Sequence, residues 1–327
     1  NRVDGWAGKL IDLIAVFALL AGTATTFSLA TPLLAGAISN VTGIPQSTGL
    51  TLVILVVVCA IYTFSVYFGM KGVQLSAATC TWLFFGLLAY VFFFGGQTRF
   101  IIEEGITALG NMTQNFIGLS TWTDSLRTSS FPQTWTIFYW AYWMVWCVAV
   151  PFFIGSISKG RTLRQVILGG YVFGLSGTFT SFIIMGNYGL GLQMHGKLDV
   201  LSAYAADGNL YQAILDILGQ LPLSKAVLVL LVLCMITFYS TSFDSITMVA
   251  STYTYKELKS DEEPHRNVKL FWAIFLILLP LALIFSENSM SNLQTVSIIA
   301  AFPVGIIMLL IITSFFKDAD AYLKEQK

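Results

Sequence analysis

Eight apolar segments, each long enough to cross a lipid bilayer, constrain this chain more than any other feature of its sequence. The hydrocarbon core of a bilayer requires about 20 consecutive apolar residues in helical form. Only 10% of the residues are charged, and the mean hydropathy of +0.76 is far too high for a soluble globular protein. We therefore predict an all-α polytopic protein embedded in the bilayer, with spans at Trp6 to Ala37, Ser47 to Met70, Val73 to Gly96, Pro132 to Ser158, Thr162 to Gly189, Pro222 to Tyr253, Arg266 to Ser286 and Met290 to Phe316.

The positive charges predict how these spans are oriented. If the N-terminus is cytoplasmic, thirteen of the 17 Lys and Arg residues lie on the inner side, and four lie outside: Arg99, Arg127, Lys197 and Lys225. An excess of Lys and Arg marks the cytoplasmic side. We expect a multi-pass protein of the inner (plasma) membrane with both ends of this chain cytoplasmic. No basic cluster with interleaved aromatic residues occurs in a loop, so nucleic acid is not an expected partner.

Two of the connections carry an amphipathic pattern. Residues Gln97 to Ser120 and Asp199 to Leu221 place apolar side chains at helical spacing. Both are predicted to be helices on the outer side of the membrane. The alternative is that they merely cap the helix bundle.

The densest aromatic stretch runs from Trp135 to Trp146 and holds seven rings in twelve residues. Helical geometry puts Trp135, Tyr139, Tyr142 and Trp146 on one stripe. Converging ring faces attract a quaternary ammonium ion, which cannot donate a hydrogen bond, by about 0.5–2 kcal/mol per ring. The stripe is therefore a candidate cation cage, although aromatic stripes on membrane helices more often serve packing. The alternative is ordinary packing or an interfacial aromatic belt.

A second stretch, Phe238 to Ser245, combines hydroxyl side chains with the carboxylate of Asp244 at mid-span. Charges at membrane depth are costly and are candidates for function. Hydroxyl oxygens, together with the backbone oxygens freed by an interrupted helix, suit Na⁺. A Ser/Thr-rich packing face between helices is an equally weighted alternative.

Signals of catalysis are missing from the predicted spans. His195 and His265 both fall in loops, and the four cysteines lie in apolar segments without metal-ligand spacing. No paired carboxylates occur at membrane depth, and the sequence has no catalytic or phosphate-binding motif. We predict that the chain is not an enzyme and has no cofactor beyond a bound Na⁺. A membrane enzyme or electron-transfer subunit is the alternative from another class.

A hydroxyl cluster in the first segment, Gly22 to Thr26, resembles the one in the sixth. In folds built from inverted repeats, equivalent helices of the two halves flank the substrate. A five-helix repeat predicts that residues 1–96 hold the last three spans of the first repeat and that residues 132–316 form the second. Residues 97–131 are then an external amphipathic helix and loop, and residues 317–327 a short cytoplasmic tail. Because the chain starts without Met, we expect it to be the later part of a longer protein.

The aromatic stretch and its surroundings resemble the betaine/choline/carnitine transporter family. The resemblance rests on Trp135 to Trp146, on Phe131-Pro-Gln-Thr-Trp135 before it, on Ile157 to Arg164 after it and on Phe315-Phe-Lys-Asp318 near the end. It implies twelve spans in an inverted-repeat, leucine-transporter-type fold, of which this chain holds the fifth to the twelfth. It also implies a homotrimer.

The same resemblance assigns a substrate site for a quaternary-ammonium solute. Trp143 and Trp146 match the cage positions of the family, and Phe138 matches an aromatic position lower on the same path. Tyr142 stands where most members have another Trp, which keeps a ring but weakens its quadrupole.

The resemblance also implies sodium ligands. Thr241 and Ser242 match the hydroxyl pair of one ion site. Phe238 matches a residue that contributes its backbone oxygen to the same site. Thr23 matches one ligand of a second site, but Leu19 replaces another Thr there. We expect one sodium site to be retained.

These assignments predict a secondary transporter that imports glycine betaine, choline or carnitine by alternating access, coupled to sodium. The runner-up is a sodium-independent exchanger of carnitine-type solutes. Such exchangers carry Arg where this chain has Cys80, and they lack the Thr-Ser pair.

Overall fold

The computed structural model describes residues 5–68, 70–207, 209–255, 258, 262–283 and 289–325. Those residues form helices joined by turns and loops, and no β-strand occurs among them. The helices are α1 (Trp6–Thr42), α2 (Thr48–Tyr67), α3 (Met70–Phe94), α4 (Thr98–Gln114), α5 (Phe116–Thr121), α6 (Ile137–Val145), α7 (Val150–Ile157), α8 (Leu163–Ser181), α9 (Asn187–Met194), α10 (Val200–Asp207), α11 (Leu210–Gly219), α12 (Ser224–Thr252), α13 (Arg266–Leu283) and α14 (Ser289–Glu325).

Six helical stretches within the described residues are long and apolar enough to cross a membrane, which confirms the all-α polytopic class. They are α1, α2, α3, α12, most of α14, and the continuous path of α8 and α9 through the π-helical turn Phe182–Gly186. The predicted span from Pro132 to Ser158 is different, because it is divided into several short helical pieces. The predicted span from Arg266 corresponds to α13, and its last residues, 284–286, lie outside the described residues.

Helix α14 extends beyond the span that its hydropathy predicts. The segment expected to be a tail after Phe316 is helical as far as Glu325. Within it, the Nζ of Lys324 donates to Oδ2 of Asp320 at 2.6 Å. The acidic residue precedes the basic one by four positions, an order that stabilises an exposed helix by about 0.2–0.5 kcal/mol. The last turns therefore stay helical without apolar burial.

The chain divides into two compact units. Unit 1 comprises Asn1–Leu29, Thr123–Ile157 and Phe243–Lys327. Inside it, α6 packs along α14, where the sulfur of Met144 lies against Gly305. The rings of Phe27 and Phe243 stack with centroids 4.2 Å apart. Unit 1 therefore contains the whole aromatic stretch together with the first part of α1.

Unit 2 comprises Ala30–Trp122 and Ser158–Ser242. Its core joins α3, α4, α9, α11 and α12 through buried apolar side chains, among them Val91, Ile101, Tyr188 and Leu218. The segments predicted to be amphipathic form helices α4 and α5 and helices α10 and α11, and α4 packs against α9. Burial of Ile101 on one side and of Leu218 on the other holds α4 and α11 against the long helices.

Candidate substrate and cation sites

Two departures from α-helical geometry enclose the aromatic helix α6. It is preceded by a π-helical turn, Pro132–Thr136, and followed by a 3₁₀ turn, Trp146–Val148, after which α7 starts at Val150. Wide or tight turns inside a membrane helix change the ladder of backbone hydrogen bonds, and they often mark functional sites. The segment that carries the rings is therefore discontinuous.

Tyr142 is the centre of the predicted substrate residues. Its ring stacks on that of Phe138 with centroids 5.5 Å apart, and it meets the rings of Trp143 and Trp146 at 6.5 Å and 6.0 Å in edge-to-face geometry. These distances lie in the range of favourable aromatic pairs. The structure thus brings the four predicted residues into one cluster.

The four side chains differ in exposure. Phe138 is buried, Tyr142 and Trp146 are half-buried, and Trp143 is 63% exposed. Trp140, on another face of the helix, is 70% exposed. Trp143 thus offers a free ring face beside the more enclosed ring of Trp146.

The remaining rings of the expected stripe adjoin this cluster. Trp135 and Tyr139 stack on each other at 6.1 Å, and Tyr139 meets the ring of Phe138 edge-to-face at 5.7 Å. Trp135 lies in the π-helical turn, which has more residues per turn than an α-helix and so shifts its side chain relative to a regular stripe. The ring contacts therefore run from Trp135 through Tyr139 and Phe138 to Tyr142 and Trp146.

Helix α1 supplies contacts to the aromatic cluster that the sequence reading did not identify. The hydroxyls of Thr26 and Tyr142 lie 2.5 Å apart. One turn earlier, a β-carbon on Gly22 would lie 2.9 Å from Cζ2 of Trp146. The sequence shows the hydroxyl cluster at Gly22 to Thr26, but it does not show the partners of that cluster, which lie more than 100 residues away in the chain.

The loop before the aromatic helix is held by a buried carboxylate, Asp124, which was also missed. Its oxygens accept hydrogen bonds from the backbone N–H groups and hydroxyls of Thr128 and Ser129 and from the N–H of Ser130, at 2.8–3.1 Å. The pKa of Asp124 is held well below its usual range. The main cause is the hydrogen bond from the Ser129 backbone, and the bonds from Thr128 and Ser130 act in the same direction. The available signal was an Asp followed by a Thr-Ser-Ser run, which favours side-chain-capped turns.

The same loop stores backbone strain. Asp124, Arg127 and Ser130 adopt φ angles of 46°, 56° and 54°, in the left-handed region that non-glycine residues rarely occupy. Gln133, in the π-helical turn, donates from Nε2 to the carbonyl of Thr123 at 2.8 Å. The Asp124 hydrogen bonds therefore fix the point at which the aromatic helix begins.

The predicted sodium residues of α12 lie in unit 2. Helix α12 is unbroken through Phe238 and Thr241, whereas the sequence suggested an interruption there. Thr241 donates its hydroxyl proton to the carbonyl of Thr237 at 2.9 Å, and its oxygen lies 3.4 Å from the hydroxyl of Ser76. Ser242 follows and is half-buried. The hydroxyl of Thr241 thus lies between α12 and α3.

Two further side chains surround this position. The ring of Phe238 is 46% exposed and meets the ring of Phe84 at 5.5 Å. The thiol of Cys80 lies beside the hydroxyls of Thr237 and Thr241. Neutral oxygen and sulfur groups of α3 and α12 therefore lie beside the hydroxyl of Thr241.

Thr23, the residue matched to a second ion site, lies in unit 1. It is fully buried, and its hydroxyl donates to the carbonyl of Leu19 at 2.6 Å. Nearby on the same helix, the hydroxyl of Thr25 lies 2.7 Å from that of Ser297. Leu19 itself is buried and supplies only its backbone carbonyl.

Comparison with known proteins agrees with this architecture. The sequence model of the betaine/carnitine/choline family of transporters matches residues 1–324. A carnitine transporter of Acinetobacter baumannii is 30% identical over 94% of this chain and 56% of its own length.

Two relatives carry names that refer to glycine betaine. A probable glycine betaine transporter of Desulfitobacterium hafniense is 31% identical over 97% of this chain and 63% of its own length. Glycine betaine transporter OpuD of Bacillus subtilis is 30% identical over 100% of this chain and 62% of its own length. The chain therefore spans about three fifths of the length of these relatives.

Proposed function

Because the chain belongs to the betaine/carnitine/choline family of transporters, we propose that it contributes the aromatic side of a substrate site for a quaternary-ammonium solute. The family match supports a transporter and disfavours the membrane enzyme or electron-transfer subunit. The solute class is glycine betaine, choline or carnitine. The names of the relatives support the first and the last of these.

The observation that carries this proposal is the cluster of Phe138, Tyr142, Trp143 and Trp146. A trimethylammonium group has no N–H to donate, so a protein holds it through ring faces and through exclusion of water. Trp143 offers an exposed face and Trp146 a more enclosed one, next to a break in the helix. Each ring contributes about 0.5–2 kcal/mol to cation binding, depending on how far the site is desolvated.

Coupling to sodium is proposed through Thr241 and Ser242. Because Thr241 donates its hydroxyl proton to a backbone carbonyl, its oxygen acts as an acceptor in any further contact, which is the role of a sodium ligand. Cys80, beside it, is uncharged as a thiol, whereas an Arg at that position would repel a cation by direct Coulomb interaction. These two features favour a sodium symporter over a sodium-independent exchanger. Thr23 is proposed as a remnant of a second ion site.

Transport would proceed by alternating access, with the repeat at 132–316 moving against the repeat that includes residues 1–96. We place residues 97–131 outside and both ends of the chain in the cytoplasm, following the distribution of Lys and Arg. A homotrimer is proposed from the resemblance to the family.

The test is uptake of labelled glycine betaine, choline and carnitine into proteoliposomes that contain the complete protein. We expect saturable uptake of at least one of these solutes that rises with an inward sodium gradient. Uptake that ignores sodium and requires solute inside the vesicles would establish the exchanger instead. If the folded protein transports none of the three solutes under either condition, the proposed substrate class is refuted.

A further inference from the structure

The hydroxyl cluster of α1 and the aromatic helix are joined by a short chain of polar contacts. The hydroxyl of Thr26 lies 2.5 Å from that of Tyr142 and 3.0 Å from the carbonyl of Gly22. The ring of Tyr142 meets the indole of Trp146 edge-to-face, with centroids 6.0 Å apart. All four residues belong to unit 1.

The donors in this chain can be assigned by counting protons. A Thr hydroxyl has one proton, and the Gly22 carbonyl can only accept, so the Thr26 proton goes to that carbonyl. Both contacts of Thr26 are satisfied when the phenol of Tyr142 donates its proton to the Thr26 oxygen. The phenol is then hydrogen-bonded to α1, while its ring stands edge-to-face to the indole of Trp146. Tyr142 is therefore held at its outer end as well as by its stacking on Phe138.

A tyrosine held in this way has restricted rotation about its side-chain bonds. Rotation would break the bond to Thr26 and change the perpendicular arrangement of the Tyr142 and Trp146 rings. Gly22 acts on the other ring of the pair, since any side chain there would push the indole away. One turn of α1 thus sets the positions of both rings.

We infer that Thr26 is a positioning residue of the ammonium site: through Tyr142 it fixes the ring geometry that binds the solute. This inference rests on the proposed function, because it assigns a role within the same site. Thr26 contacts the ring rather than the solute. Its loss should weaken solute binding and leave the maximal rate of transport nearly unchanged.

The test compares Thr26→Val, which keeps the shape and removes the hydroxyl, with Thr26→Ser, which restores it. Loss of one hydrogen bond of about 1 kcal/mol should raise the KM for the transported solute about fivefold in Thr26→Val, with Vmax within twofold of wild type. Thr26→Ser should return the KM to the wild-type value. Tyr142→Phe should match Thr26→Val, and the double variant should be no worse than either single one.

Ser28→Ala is the matched control, because Ser28 donates to the Thr25 carbonyl of its own helix. It should leave KM unchanged. A Thr26→Val protein with wild-type KM, or a Thr26→Ser protein that fails to recover, would overturn the positioning role. An equal loss of melting temperature in Thr26→Val and Thr26→Ser would overturn it too, since that would mark a packing defect.

Trp146→Ala distinguishes a failure of this inference from a failure of the proposed function. If Trp146→Ala abolishes solute binding while Thr26→Val and Tyr142→Phe behave as wild type, the site stands and the positioning role fails. If Trp146→Ala leaves solute affinity unchanged, the proposed site itself fails. Ligand-dependent quenching of tryptophan fluorescence in detergent gives the affinity independently of transport.

Discussion

Gly22 and Trp146 are packed so closely that a β-carbon on Gly22 would lie 2.9 Å from Cζ2 of the indole and 3.1 Å from Cγ1 of Val145. Both distances are shorter than ordinary van der Waals contacts, so the indole would have to move. We expect Gly22→Ala to raise the KM for the ammonium solute about tenfold, because the displaced ring no longer faces the cation. Uptake kinetics measure this.

The control for Gly22→Ala is Gly169→Ala in α8, where a β-carbon meets nothing within 4 Å. Alanine in an open helical position stabilises the helix by about 1 kcal/mol relative to glycine. Gly169→Ala should therefore keep the wild-type KM. A Gly22→Ala variant that also keeps it would contradict the close-packing argument.

Trp143 and Trp146 should each matter to binding, and Trp140 should not. Removing a ring worth about 1–2 kcal/mol raises the KM roughly five- to thirtyfold, so we expect Trp143→Ala and Trp146→Ala to lie in or above that range. Trp140→Ala removes an exposed ring on another face and should stay within twofold of wild type. Phe at position 143 should recover part of the affinity. A solute affinity that depends on Trp140 instead would contradict the assignment.

Sodium dependence should require the hydroxyls of Thr241 and Ser242. The double variant Thr241→Ala, Ser242→Ala should retain folded protein and lose the stimulation of uptake by an inward sodium gradient. Thr178→Ala in α8 is the control, since its exposed hydroxyl donates to the carbonyl of Gly174 at 3.0 Å and belongs to another helix. It should keep the sodium response. Stimulation that persists in the double variant would remove these residues from the cation site.

Asp124→Asn should lower the melting temperature of the protein, and the loss should depend on pH. The pKa of Asp124 is lowered in the folded protein, so its stabilising effect is present above the pKa of the unfolded chain, about 3.9. That effect disappears as the pH falls through the folded-state pKa. The gap in melting temperature between wild type and variant should be constant from neutral pH to about pH 5 and narrow below pH 4.

Glu103→Gln is the control for Asp124→Asn, because Glu103 is an exposed carboxylate paired only locally with Arg99 at 2.8 Å. It should change the melting temperature little at any of these pH values. A pH-independent effect of Asp124→Asn would show that shape, rather than charge, is what the loop requires.

Hydropathy alone predicted the long helices well, because a span must be both apolar and about 20 residues long. The bounds of α2 and α12 differ from the expected spans by only a few residues. Local hydropathy could not predict the extension of α14, whose last turns are exposed and carry the ion pair of Asp320 and Lys324.

Predicting where a helix breaks proved harder. The hydroxyl-rich run at Phe238 fits an interruption in α12 and a helical packing face equally well. In the structure the helix is continuous, because a hydroxyl there can bond to its own helix, as Thr241 does to Thr237. The break lies instead at Trp146–Val148, shortly before Pro151. Proline has no N–H to donate to the carbonyl of residue i−4, here Cys147, and its ring crowds that carbonyl, so Pro151 is the local signal that indicates this interruption.

The ring cluster of the site could be predicted from the sequence, but the contacts from α1 that hold the rings in position could not. Phe138, Tyr142, Trp143 and Trp146 lie within nine residues, so spacing and resemblance were enough to group them. Thr26 and Gly22 act through contacts with residues more than 100 positions away, which only the packing of α1 against α6 creates. Pairing across such a distance is a property of the tertiary structure.

The π-helical turn at Pro132–Thr136 has a consequence for chain length. Such a turn accommodates one residue more than regular α-helix, so deletion of one residue there can be absorbed by reverting to an α-helical turn. A deletion inside α6 would instead rotate every following ring by about 100° relative to those before it. Among homologous sequences, single-residue gaps should therefore collect at Pro132–Thr136 and be absent between Phe138 and Trp146.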